Sequence, residues 1–113
     1  MNNRIENNYW VYILLCSNNN YYTGYTTDLA KRYEAHLNGT GSKYTRSFKP
    51  LKLMQCWKIT AKKAFAMEVE RYIKKMSRTE KEEIILNPFL LLDVYKNSDG
   101  FSHISIGAVD NSP

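Results

Sequence analysis

The chain has 113 residues, 43% of them hydrophobic and 24% charged, with a net charge of +5. That length suits one domain with a modest core and leaves little room for a second cored unit. No apolar run approaches the roughly 20 residues of a membrane span, and the opening MNNRIENNYW lacks the apolar stretch of a signal peptide, so neither a membrane partner nor export is expected. Cys16 and Cys56 sit inside apolar runs and read as buried thiols of a reducing, cytoplasmic compartment, with a single disulfide as the alternative.

WVYILLC, from Trp10 to Cys16, is a short apolar run rich in strand formers, and Ser17-Asn18-Asn19-Asn20 closes it. A second run, Tyr21 to Thr26, follows at once, and two such runs joined by turn-forming residues predict a β-hairpin. Gly24 inside the second strand marks a bulge or a close backbone approach. Thr27 or Asp28 then caps a helix. Leu29, Tyr33 and Leu37 recur at i, i+4 and i+8 as its inward stripe, and Asn38-Gly39 ends it. Residues 38–50 read as a basic, glycine-containing loop, and LKLMQCWKI after Pro50 as a third strand. Between Ala61 and Met76, the residues Phe65, Val69, Tyr72, Ile73 and Met76 fall on one helical face. Ser77 and Glu80 have the spacing of a capping box, so a further helix is predicted from Arg78 to about Asn87, stopped by Pro88. The order is β-β-α-β-α-α. FLLLDVY, from Phe89, suits a strand or a helical turn; the polar remainder reads either as a flexible tail or as an edge strand through HISIG. The chain thus divides into a domain over 1–90 and a C-terminal extension over 91–113.

Charge is unevenly spread. Residues 31–81 hold fourteen lysines and arginines against four glutamates, a net of +10, whereas residues 82–113 net −4. Tyr25, Tyr33, Tyr44, Phe48, Trp57, Phe65 and Tyr72 are interleaved with the basic segment. A basic middle with aromatic interleaving points to a polyanion partner, nucleic acid first among them; a solvated basic surface is the plainer reading.

Several side chains could carry chemistry. Arg32 and His36 are one helical turn apart and share a flank beside the apolar stripe, where a side chain can reach a cleft between helix and sheet. Tyr12 and Tyr22 lie on strands expected to pair, so one register puts both hydroxyls on one face. Each also has an ordinary reading, as half-buried packing or as solvated charge. Glu68 and Glu70 both border the apolar face of their helix, and Glu70 can pair with Lys74 at i+4; periodicity does not choose between them. His103 lies apart from every motif.

Val11-Tyr12, then Tyr22-Thr23-Gly24, Arg32 in the next helix and Glu70 in a later one resemble the GIY-YIG nuclease domain. The first tripeptide is here Trp10-Val11-Tyr12. HLNGTGSKYTR (His36 to Arg46) and AMEVERYIKKMSR (Ala66 to Arg78) are similar to the small, single-domain bacterial branch of that family, and the resemblance runs from about Tyr9 to Asn87. It implies an α/β (α+β) domain, a three-stranded antiparallel sheet flanked by helices, and phosphodiester cleavage with one divalent ion, Mg2+ or Mn2+. By the same resemblance Tyr12, Tyr22, Arg32, His36 and Glu70 are catalytic and Glu70 ligates the metal. Tyr25 departs from the pattern, since several members place a lysine there; Lys31 or Lys43 are the cations nearest in sequence to replace it.

The residue types suit that chemistry. A glutamate can hold an oxygen-preferring ion that keeps several waters. Arg32 can bond two phosphate oxygens. A tyrosine beside such cations is expected to lose its proton below the usual value of about 10 and serve as general base, either Tyr12 or Tyr22, assisted by His36. Gly24 permits close backbone approach to substrate. Lys31, Lys43, Tyr44, Arg46, Lys49 and Lys52 are expected to bind substrate, with Tyr44 and Phe48 available for stacking. The leading expectation is a metal-dependent endonuclease acting on DNA, structured or single-stranded. The alternative is a weakly active or inactive nucleic-acid-binding module on the same fold. An RNA-binding sheet of the RRM type is disfavoured because its Lys/Arg-Gly-aromatic-x-aromatic strand motif is missing. The acidic, partly apolar C-terminus is a candidate docking or self-association segment.

Overall fold

A computed structural model of the chain describes residues 6–96 and 103–109. The two apolar runs form strands β1 (Asn7–Cys16) and β2 (Tyr21–Thr26) of an antiparallel hairpin. Asn19 supplies the positive φ, 66°, that reverses the chain, a conformation asparagine tolerates better than most side chains. The register sets Tyr12 opposite Gly24 and Leu14 opposite Tyr22, so Tyr12 and Tyr22 share one face of the sheet. Strand β3 (Pro50–Ala61) lies on the other side of β1. The strand order is β2-β1-β3-β4, where β4 (Ile104–Ile106) pairs antiparallel with β3. The sheet therefore has four strands where three were expected: HISIG adds the edge, as one of its two readings had it. Residues 97–102 and 110–113 of the tail lie outside the described residues.

Helix α1 (Leu29–Asn38) begins at Asp28, whose carboxylate accepts from the Lys31 backbone N–H at 3.1 Å, and ends at Gly39 with φ 87°. Its stripe differs from expectation. Leu29 and Tyr33 face inward, but Leu37 is 42% exposed and His36, one position earlier, is fully buried. The presumed loop 38–50 contains a short helix, α2 (Lys43–Ser47), capped by the Ser42 hydroxyl. Helix α3 (Lys63–Lys74) buries Ala66, Val69 and Ile73, while Tyr72 stays 41% exposed at the rim, its ring 6.2 Å from that of Tyr95. The capping box forms as read: Ser77 and Glu80 satisfy each other's backbone at the start of α4 (Arg78–Leu86). FLLLDVY becomes helix α5 (Phe89–Val94). The full order is β-β-α-α-β-α-α-α-β.

Two cores result, one on each face of the sheet. On the back face Val11, Ile13, Trp57 and Ile59 pack against Ala66, Val69 and Ile73 of α3, Ile84 of α4 and Leu91 of α5. On the front face Tyr12, Leu14, Cys16 and Cys56 pack under Leu29 and Tyr33 of α1 and Tyr44 of α2. Because β1 is covered on both faces, its apolar run is continuous and not alternating. Cys16 and Cys56 are free, buried thiols, and burial raises both, Cys56 to about 11. No helix among the described residues is long and apolar enough to cross a membrane.

Candidate active site

The site grows from one glycine. Tyr12 lies across Gly24 on the front face, so closely that a Cβ at position 24 would sit 2.5 Å from the tyrosine hydroxyl and 2.7 Å from its ring carbon Cζ. Gly24 is buried, and the close approach it allows in this structure is that of the Tyr12 side chain.

The Tyr12 hydroxyl meets His36 Nε2 at 2.8 Å, and His36 Nδ1 meets the Thr45 hydroxyl at 2.7 Å. Thr45 in turn lies 2.9 Å from the Ser42 hydroxyl. Each imidazole nitrogen is thus held by a hydroxyl, Nε2 by Tyr12 and Nδ1 by Thr45. The Arg32 guanidinium lies close enough to the Tyr12 oxygen to favour its ionised form. Tyr12, His36 and Thr45 are all essentially inaccessible to water. The Tyr22 ring meets His36 edge-on at 5.3 Å and stacks on Tyr44 at 5.7 Å, whose hydroxyl accepts from Asn18 Nδ2 at 2.8 Å.

Burial dominates the protonation states. It lifts Tyr12 to about 12, with the Tyr22 and Glu70 charges adding to the rise and Arg32 opposing it. The expectation was that either Tyr12 or Tyr22 ionises readily; at Tyr12 desolvation outweighs the cation beside it. His36 moves the other way, to about 4, because burial and then the Arg32 charge penalise the imidazolium. The pair is a neutral phenol hydrogen-bonded to a neutral imidazole.

β2 is an edge strand, and α3 packs against both β1 and β2. Helix α1 brings Arg32 from the front and α3 brings Glu70 from the back. Glu70 keeps 17% of its side-chain exposure and holds Lys74 at 3.5 Å. Its charge is felt at Tyr12, whereas that of Glu68 is felt at Tyr95, on the far side of α3. Lys31 and Arg32 line an open hollow of about 430 Å3 with Thr26, Thr27, Asp28 and Ala35. Lys43, Arg46, Lys49 and Lys52 are exposed on or beside α2 and at the start of β3. Phe48 sits 5.3 Å from the Tyr44 ring. Tyr25 points to the back face, 6.3 Å from Tyr9, away from the Tyr12–His36 pair.

Sequence reasoning missed Thr45 and Gly41. A Cβ at Gly41 would collide with the His36 ring, and Thr45 holds that ring's second nitrogen. The available signal was Ser42-Lys43-Tyr44-Thr45, a capped single turn too short to show a period. Among the described residues no three His, Cys, Asp or Glu side chains gather as a metal cage.

Residues 8–83 match the model of the GIY-YIG catalytic domain. The chain belongs to that family, a family of nuclease domains, and membership implies endonuclease-type chemistry. Its relatives include the UPF0213 protein BH0048 of Halalkalibacterium halodurans, 42% identical over 78 residues that make up 69% of this chain and 82% of that protein. Another is the UPF0213 protein YazA of Bacillus subtilis, 41% identical over 67% of this chain and 76% of YazA. The solution NMR structure of BH0048 aligns with a TM-score of 0.46 and 36% identity over 80% of this chain and 98% of that one.

Proposed function

We propose that the protein hydrolyses phosphodiester bonds in DNA at the β2 edge, with Arg32, Glu70, Tyr12, His36 and Tyr22 as the working residues. What supports this reading is the setting of one buried hydroxyl: Tyr12 is hydrogen-bonded to His36 Nε2, and the charges of Arg32 on α1 and Glu70 on α3 are both felt there. Structural packing does not need two opposite charges from separate layers around a desolvated phenol.

Glu70, partly exposed and paired with Lys74, would have to exchange that lysine for Mg2+ or Mn2+, which bind through one or two carboxylates, waters and substrate phosphate. Glu70 would hold the ion, which when bound would neutralise phosphate charge and stabilise the leaving oxygen. Arg32 binds the phosphate through two oxygens and counters the charge that develops on it. Tyr12, at about 12, does not ionise alone at neutral pH. As a base it would take the proton of the attacking water as its own passes to His36 Nε2, which requires the buried hydroxyl to meet that water once substrate is bound; phenol and imidazole then act as one base. Thr45 keeps Nε2 turned towards the phenol. Tyr22 packs the imidazole from its edge. Lys31, Lys43, Tyr44, Arg46 and Lys49 bind the flanking strand, and Lys31 and Lys43 supply charge that Tyr25 does not.

The test is cleavage of supercoiled plasmid, single-stranded DNA and a branched DNA with Mg2+ or Mn2+. Wild type should cut at least one of them. Arg32→Ala and Glu70→Gln should each lose about 100-fold or more, and Glu70→Gln should still bind. Equal cutting by wild type and Glu70→Gln would remove Glu70 from the mechanism, and binding without cutting on all three would favour a binding module.

A further inference from the structure

The β2 edge has two ends. At the Thr26 end stand Lys31 and Arg32 of the site already described. At the Tyr21 end, next to the hairpin turn, is a second hollow of about 260 Å3 lined by Asn20, Tyr21, Tyr44, Arg78 and Lys81. It is joined to the reaction centre through rings: Tyr44 stacks on Tyr22 with 24° between planes, and Tyr22 meets His36. Its cations come from the first turn of α4; Arg78 closes the Ala66 to Arg78 segment, and Lys81 lies beyond it.

Arg78 and Lys81 are three residues apart and so project from one side of that helix. Arg78 is fixed in place. Its Nη1 donates to the Asn19 carbonyl at 2.6 Å, its guanidinium lies 4.6 Å over the Tyr21 ring, and Nε is 3.3 Å from Glu82. Lys81 is half-buried and makes no ion pair among the described residues. Burial pulls its ammonium pKa down, so holding the charge there carries a desolvation cost that no acid offsets. An anion arriving in the hollow would offset it. Tyr44 offers a flat ring at the same place, its hydroxyl already satisfied by Asn18. At about 260 Å3 the hollow is smaller than the roughly 300–1,000 Å3 of drug-sized pockets, so its occupant is a small unit.

We propose that this hollow is a subsite for one nucleotide of the strand being cut, with its phosphate on Lys81 and Arg78 and its base against Tyr44. The scissile strand would then run along the whole β2 edge, cations at both ends and tyrosines between. The proposal rests on the nuclease reading for the identity of its ligand, yet it concerns binding and is tested without cleavage.

The experiment is fluorescence anisotropy with labelled single-stranded oligodeoxynucleotides in EDTA over a range of salt. The proteins compared are wild type, Lys81→Gln, Lys81→Arg and Lys63→Gln, the last a charge-matched control on the exposed start of α3. Lys81→Gln should weaken binding about 3–10-fold and make the salt dependence shallower by about 0.7 in log–log slope, the loss of one phosphate contact to a single strand. Lys81→Arg should restore both, and Lys63→Gln should leave both near wild type. No change in Lys81→Gln, or the same change in Lys63→Gln, would overturn the subsite. Weakened binding by Lys81→Gln in a protein that cuts nothing would keep the subsite and discard the nuclease reading; cutting with binding indifferent to Lys81 would do the reverse.

Discussion

On the back face of the sheet, Val11, Ile13, Trp57 and Ile59 meet Val69, Ile73, Ile84 and Leu91, all apolar or aromatic side chains. On the front face the neighbours of Tyr12 include His36 and Thr45, which are as deeply buried as any back-face residue. Both faces exclude water, but they use the exclusion differently. The back face gains from it directly, since apolar area leaves water. The front face gains less, because each buried polar atom must be matched by a hydrogen bond merely to recover its desolvation. What the front face obtains is a fixed imidazole and a fixed phenol whose protonation states lie far from their ordinary values. Perturbed groups of this kind concentrate at reaction centres.

The sharpest way to break the contrast is to injure the back face alone. Trp57 is fully buried, and its indole N–H donates to the Pro88 carbonyl at 3.0 Å, which ties α5 to the sheet. Trp57→Ala should cost about 3–5 kcal/mol of unfolding free energy, read by urea denaturation. The residual folded protein should keep the His36 environment, seen as an unchanged imidazole shift by NMR. Thr45→Val should be milder. It keeps the shape but leaves His36 Nδ1 without its partner, at about 1–3 kcal/mol, and it should move the imidazole resonance where Trp57→Ala does not.

The pH response separates the faces without mutation. The folded His36 pKa, about 4, lies below the ordinary value of 6.5. Between those values the unfolded chain binds more protons than the folded one, so stability falls as pH drops through that window. Above about 6.5 the contribution is fully present. The Tm should therefore decline from pH 6.5 towards pH 4 in wild type and decline less in His36→Gln; identical profiles would mean that His36 is not held neutral. The smallest effect belongs to Glu70–Lys74, whose lysine is half-exposed. Lys74→Ala should change stability by no more than about 0.5 kcal/mol.

The two faces also differed in how readable they were. The back face followed from local rules: Val69 and Ile73 at i and i+4, the Ser77–Glu80 capping box, and the hairpin turn at Asn18 to Asn20 all act within a few residues. The front face did not. Leu29 and Tyr33 were legible, but the choice of His36 over Leu37 as the third inward residue depends on Tyr12 and Thr45, whose hydrogen bonds make burial of a histidine tolerable. Hydrophobicity alone favours leucine there. Helix α2 has five residues and β4 has three, too few for either period to show. The family motif singled out Tyr12, Tyr22, Arg32, His36 and Glu70 as candidates, but it carried no information on the ionisation of Tyr12, which burial decides.

The account stands most directly on the Tyr12 hydroxyl, which is hydrogen-bonded to His36 and feels the charges of Arg32 and Glu70. The measurement is the single-turnover cleavage rate of wild type and Tyr12→Phe on the same DNA, with the Tm of both recorded. Phenylalanine keeps the ring over Gly24 and removes only the oxygen. A fall of about 100-fold or more, the scale of general acid–base catalysis, with the Tm within a few degrees of wild type is predicted. A Tyr12→Phe protein that cuts as fast as wild type would contradict the account.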